Sequence, residues 1–448
     1  MPAAAAVDRA FVLALIASLA ISSHASAQTL TVGNGGMYAT IAAAAAAATD
    51  GATIEIAAGT YHEEVVWTAN ALTIRGIGSV AIDMTGMPLV NQGGKGIFII
   101  DGANATIENI TFVGASDSSG NGAGIRWQGE GMLTVRGCVF RANEDGILGG
   151  NHADNVALIE NNEFVGNGLG MYGYTHSLYI SEIDTLTFRG NWSHALAGGT
   201  PDIGHLFKSR AHHNYVLYNR LTAEDTHASY ELQLPEGGIG YVIGNLIEQG
   251  TMDPNRTIIS IGGDGMQWPD HHVFIVNNTI VNADTSGTFV AATATIDLDV
   301  VNNLFIGAGT VLSGGNVLRM THNLSQGTSV LVNAAGFDYH LALGSAPIDA
   351  GIDPGMDGTM SLAPMLQYVH PRATEPRAIV GVIDIGAYEF GSASSVDASA
   401  RDGGRGDAAV AMPHTSGGCC GVAARRSPLT TFVSIAIVAW LLHRRRAT

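Results

Sequence analysis

Lysine is almost absent from this chain: among 448 residues only Lys95 and Lys208 occur, and charged residues of both signs make up 13%. So little charge cannot furnish the solvated faces of long surface helices. With 58 glycines and 46% hydrophobic residues, the composition suits short strands between turns. Cysteine is equally short. Cys138, Cys419 and Cys420 cannot make a disulfide framework, and Cys138, on an apolar repeat position, reads as a core thiol. Positive charge is scarce too, with 21 Lys and Arg against 39 Asp and Glu, a net charge of −18. Such a surface repels phosphate backbones and argues against nucleic acid as a general partner.

Both ends read as addresses. Residues 1–27 carry Arg9, an apolar run from Ala10 to Ile21 and the small-residue end Ala25-Ser26-Ala27, a signal peptide that predicts export. Residues 391–418 are poor in large apolar side chains and read as a flexible linker. Residues 419–448 hold Cys419-Cys420, an apolar run from Leu429 to Leu442 and Arg444-Arg445-Arg446. The run is shorter than the roughly 20 residues of a typical span, and the arginines would keep this end cytoplasmic during export. This order resembles the MYXO-CTERM class of bacterial sorting tails. The resemblance implies processing near the cysteines and display at the cell envelope or surface; a plain tail anchor is the alternative. Either way, contact with the membrane is through the C-terminal tail.

Between the ends the chain repeats. Residues 28–71 read as strand, helix, strand: the run Ala42 to Ala48 favours helix, Asp50-Gly51 stops it, and Thr53 to Ile56 alternates. From 72 to 337 a short strand recurs with an Asn followed two residues later by an apolar side chain, at Asn162, Asn191, Asn219, Asn245, Asn278 and Asn303. Ile110 and Cys138 hold the equivalent places. Successive spacings from Ile110 are 28, 24, 29, 28, 26, 33 and 25. A period in the twenties without helical pattern means a solenoid, with right-handed crossovers and the asparagines stacked as an amide ladder. At roughly 4.8 Å per coil, ten or eleven coils make a rod near 50 Å long. Gly59-Thr60-Tyr61-His62-Glu63-Glu64-Val65 resembles the entry segment of secreted bacterial right-handed parallel β-helix proteins, the pectate-lyase-like superfold, and residues 338–390 resemble their closing segments. The expected fold is therefore all-β, a right-handed parallel β-helix with an N-terminal capping helix and a single C-terminal hydrophobic helix.

The stretch Gly204 to Gly237 gathers the unusual chemistry: Lys208, Arg210, Arg220, His205, Tyr230 and Glu231. His152, His176 and His205 each lie fourteen residues after Cys138, Asn162 and Asn191, which predicts a column of imidazoles. For His152 a structural role is preferred, and zinc is the weaker option because no Cys or close carboxylate accompanies the column. Tyr179 and Lys208 follow His176 and His205 by three residues. Alternation points Phe207 and Ser209 inward and puts Tyr179, Lys208, Arg210, Glu231 and Gln233 on one outer wall. A solvated Lys208–Glu231 pair worth under about 1 kcal/mol is the bland alternative. Asp264, in Gly262 to Gly265, and His271-His272 read as turn residues.

Lys, His, Tyr and Arg together can run β-elimination on a uronate polysaccharide, in which a cation neutralises the carboxylate, a base takes the C5 proton and an acid serves the leaving oxygen. Residues 206–219, LFKSRAHHNYVLYN, look like the Lys-bearing strand of the chondroitinase B and alginate lyase family. The resemblance implies Lys208 as base and Glu231 as a ligand of Ca²⁺. That family carries an Arg acid one coil on, where this chain has Ser229-Tyr230-Glu231, so Arg210 or Arg220 would have to substitute. The candidate set is Lys208, Arg210, His205, His176, Tyr179 and Tyr230 for catalysis, Arg220 and Gln233 for substrate, and Glu231 for metal. The expected partner is an acidic polysaccharide met by a monomer, and as an enzyme the chain is a polysaccharide lyase. The alternatives are a non-catalytic glycan-binding or adhesion module and a glycoside hydrolase. The latter wants paired carboxylates, for which Asp202 with Asp225 or Glu231 remain.

Overall fold

The computed structural model describes residues 28–90, 94–170, 175–197, 204–224 and 226–392. Residues 1–27, read as a signal segment, the linker from residue 393 on and the apolar run from Leu429 to Leu442 lie outside them. Among the described residues no helix is long and apolar enough to cross a membrane.

Short strands pair in parallel, each with its counterpart one coil earlier and one coil later, and stack into three long sheets. The first runs from Val65–Trp67 through Ala123–Trp127, Leu178–Ile180, Lys208–Ser209 and Leu232–Leu234 to Thr257–Ile261 and beyond. The second holds Thr185–Arg189, His213–Leu217 and Ile239–Ile243, and the third holds Trp192–His194, Arg220–Thr222 and Leu246–Gln249. Each coil passes from the second sheet to the third and then to the first.

The corner between the second and third sheets explains the recurring asparagine. Its first residue takes a left-handed backbone, as at Asn161 (φ 56°), Gly190 (φ 63°), Gly244 (φ 67°) and Asn302 (φ 56°), a conformation that Gly and Asn adopt at least cost. The residue after it carries the ladder. Nδ2 of Asn162, Asn219, Asn245, Asn278 and Asn303 donates to Oδ1 of the next rung at 3.0 Å, and Nδ2 of Asn191 does so at 3.1 Å. The interior is a file of aromatic rings: Phe112, Phe140 and Phe164 stack with centroids 5.2 and 4.8 Å apart.

Helix α1 (Ile41–Ala47) buries Ile41 and Ala44 against the first coil, and the Glu63 carboxylate accepts from the backbone N–H groups of Ile41 and Ala42 at 3.0 and 2.9 Å. At the other end, residues 338–390 run back along the outside of the coils. Met365 N–H donates to Tyr218 Oη at 3.1 Å, Tyr241 Oη donates to Asp357 at 2.6 Å, and Arg372 Nη1 reaches the Cys138 carbonyl at 2.9 Å. The strap is pinned by a fully buried Arg377–Glu389 pair at 3.1 Å.

Candidate functional site

Lys208 opens a two-residue strand of the first sheet and stands in register between Tyr179 one coil earlier and Gln233 one coil later. Phe207 and Ser209 on either side of it are buried, so Lys208 points outward, as the alternation requires. Its Nζ lies 5.3 Å from the centre of the Tyr179 ring and 3.9 Å from Asp264 Oδ2. The Arg210 guanidinium stands 5.8 Å from the same ring, donates to Asp264 at 2.7 Å and pairs with Glu236. Trp268 fixes the turn by donating Nε1–H to the Arg210 carbonyl at 3.0 Å. The first sheet and its outgoing turns thus make a strip of half-buried Tyr179, Lys208 and Arg210 with the buried Gln233, edged by Glu236 and Asp264.

Burial sets the proton affinities in this strip. It pushes the Lys208 amine below its ordinary value; Asp264 opposes that shift and Arg210 adds to it. It pushes the Tyr179 phenol up, with Arg210 opposing, so the phenol keeps its proton. The carboxyl of Glu236 is likewise raised by burial against the pull of Arg210.

His176 and His205 do stack, with centroids 4.7 Å apart, and the Tyr230 ring follows His205 at 5.0 Å. His205 N–H donates to His176 Nδ1 at 3.1 Å, and His176 N–H donates to Asp145 at 2.7 Å. The column is therefore Asp145, His176, His205 and Tyr230. His152 stands outside it, in a turn and half-exposed. The two imidazoles are buried, and burial beside Lys208 drives the pKa of His205 down to about 3. His205 is thereby held as a neutral imidazole, enclosed between the His176 and Tyr230 rings.

Two further expectations are corrected. Glu231 precedes the strand Leu232–Leu234 and sits in the corner before it, fully buried, its backbone N–H bound to Ile258 O at 3.2 Å. Its carboxyl lies against that of Asp253, and burial with that like charge raises its pKa far above the carboxylate range. A fully enclosed carboxyl does not reach an ion shared with a ligand on the outer face, so Glu231 does not fit the calcium role. Arg220 belongs to the third sheet, packed 5.6 Å from the Trp192 ring and 5.9 Å from Phe337, and takes no part in the Lys208 strip.

Sequence reading missed Arg126, Glu236 and Asp264. Arg126 lies two coils before Tyr179 on the same outer column, through Leu148. Asp264 read as a turn residue, and it is one; the Gly262-Gly263-Asp264-Gly265 turn folds back two coils to reach Lys208 and Arg210.

A solenoid of parallel coils with a polar strip along one sheet defines a parallel β-helix protein. Its winding is right-handed: residues 62–242 match the family model described as a right handed beta helix region. Among solved structures the chain is similar to pectate lyase Pel9A, at 12% identity over 81% of this chain and 97% of that one, with a TM-score of 0.46. It is also similar to the alginate lyase AlyGC of family PL6, at 14% identity over 66% of this chain, with a TM-score of 0.29. The chain spans only 39% of that alginate lyase. No curated protein matches it.

Proposed function

We propose that the Lys208 strip acts on an acidic polysaccharide by β-elimination. The observation that carries this reading is a half-buried amine and an arginine set against the same tyrosine ring on the outer wall. Burial favours the neutral amine that a base needs and the protonated phenol that an acid needs. The uronate carboxylate displaces Asp264 from the Arg210 guanidinium, which then stabilises the charge that develops as the C5 proton leaves. Lys208 Nζ accepts that proton, and Tyr179 Oη donates its own to the departing glycosidic oxygen. The C5–H and C4–O bonds break, a C4–C5 double bond forms, and no water is consumed. Gln233, in register with Lys208, orients the sugar. Export of the chain and its retention at the envelope by the C-terminal tail would bring this strip to extracellular polymer.

A second reading, a non-catalytic glycan-binding module, is favoured by the carboxylates of Asp264 and Glu236 that already partner both cations. Ultraviolet absorbance of the unsaturated uronate separates the two, using alginate, pectate and glycosaminoglycans with and without Ca²⁺. Turnover on one polymer that falls by about 10²-fold or more in Lys208→Ala, with binding kept, is expected. Binding without turnover on every polymer, unchanged in Lys208→Ala, would sink elimination.

A further inference from the structure

Immediately after Arg210 the chain turns from the first sheet to the second, and two adjacent histidines meet an aspartate from the coil before. His213 N–H donates to the Asp184 carbonyl at 2.8 Å, which brings the two side chains to the same corner. His213 Nδ1 stands 3.4 Å from Asp184 Oδ1, and the His212 and His213 rings lie 4.1 Å apart. One donor atom each of Asp184, His212 and His213 falls within 4.8 Å of the other two. Two donors about 2.0–2.1 Å from a tetrahedral ion stand about 3.3 Å apart, so the 3.4 Å between His213 Nδ1 and Asp184 Oδ1 admits one ion once Nδ1, which also lies 3.2 Å from the Asp184 carbonyl, has given up its proton. Thr185 Oγ1 donates to Asp184 Oδ2 at 2.8 Å and leaves Oδ1 facing the imidazoles.

The His212 ring is held from outside. Its Nε2 is 2.5 Å from Asp270 Oδ1, and the Trp268 indole stacks on it at 4.7 Å with planes 9° apart. A carboxylate bound to one ring nitrogen fixes the tautomer and leaves the lone pair on the other, the arrangement that orients metal-ligating histidines. Two imidazoles with one carboxylate suit a zinc-class ion rather than calcium, which takes six to eight oxygens.

We propose that Asp184, His212 and His213 bind one divalent ion of the zinc class, with Asp270 orienting the His212 ring. The site is separate from the Lys208 strip and does not depend on its reaction. It shares the turn 262–271 with that strip, since Asp264 and Asp270 both come from there, and an ion held at one end of the turn steadies the other.

The test is equilibrium dialysis of the chelator-stripped full chain against Zn²⁺, with bound metal counted by emission spectrometry. Cys419→Ser and Cys420→Ser are introduced throughout to remove the tail thiols. One ion per chain is expected, lost in Asp184→Asn and in His213→Gln. Asp270→Asn should weaken it by about 10- to 100-fold, the usual effect of removing an orienting carboxylate. Co²⁺ substituted for Zn²⁺ should give a visible d–d spectrum that Asp184→Asn abolishes while the far-ultraviolet circular dichroism of the chain stays unchanged. Failure of the stripped chain to retain an ion, or an unchanged stoichiometry in both Asp184→Asn and His213→Gln, overturns the proposal.

Discussion

Replacing Asn245 by alanine tests whether the amide ladder holds the coils together or merely decorates them. Asn245 is fully buried. Its Oδ1 accepts from Asn219 N–H at 2.9 Å and from Asn219 Nδ2 at 3.0 Å, while its Nδ2 donates to Val216 O at 2.8 Å and to Asn278 Oδ1 at 3.0 Å. Alanine leaves the two Asn219 donor hydrogens with no acceptor in a corner that water does not reach. At about 1–3 kcal/mol for each stranded group, the cost is about 2–6 kcal/mol. An exposed amide such as Asn316, bonded at 2.6 Å to Asp297, should cost under about 0.5 kcal/mol on the same substitution. Solenoid stability is a sum of coil and neighbour terms, so the readout must be local. Native-state hydrogen exchange followed by mass spectrometry should show amides of 213–222 and 239–249 exchanging faster by about 30-fold or more, at 1.4 kcal/mol per tenfold. Protection unchanged within twofold would refute the ladder as a source of stability. The reverse substitution is available at Cys138, which holds a ladder place without an amide: its N–H donates to Asn162 Oδ1 at 2.9 Å, and its thiol stands 3.8 Å from Ile107 O. Cys138→Asn should complete that rung and raise protection in its coil.

Two other perturbations are equally direct. Burial lifts the Glu248 carboxyl from 4.5 to about 8, so the native chain binds its proton more tightly than the unfolded one. The associated stability is full below pH 4.5 and is lost as pH rises through about 8; urea melts from pH 5 to 9 should show that decline, flattened in Glu248→Gln. In the strap, Arg377→Met strands the buried Glu389 charge and should cost about 3–5 kcal/mol, seen as early proteolysis within 338–390 while the coils stay resistant.

Which features could be read from the sequence follows from what each depends on. The coils were legible because one backbone requirement, a left-handed residue, recurs at the corners and from Asn161 onward is followed by an amide, leaving its mark as Gly190-Asn191, Gly244-Asn245 or Asn302-Asn303. The outer placing of Tyr179, Lys208 and Gln233 followed from alternation along the strands that contain them. Alternation has no meaning at Glu231, which stands one residue before its strand begins, and there the expectation failed. Equal offsets located His176 and His205 because the loops leading to them are of equal length. The loop after Arg141 is much shorter, so Asp145 occupies the column position that the offset gave to His152. Asp264 was out of reach for another reason: its contacts cross two coils, and local pattern carries nothing about where a turn folds back.

The Lys208 reading has its sharpest consequence in pH dependence. A base must be neutral, so turnover should rise with pH through the depressed Lys208 value and fall again only where the raised Tyr179 phenol begins to ionise. Asp264 is the carboxylate that holds the amine's proton most strongly, against burial and Arg210. Asp264→Asn removes that attraction and should move the rising limb to lower pH, although it adds no group to the reaction. The same shift carries a stability sign. A lysine with a folded pKa below 10.5 binds its proton more weakly in the native state than unfolded, so the variant should gain stability as pH approaches 10.5 from below. A rising limb that stays in place in Asp264→Asn, with turnover intact, would mean that the titrating base is not Lys208.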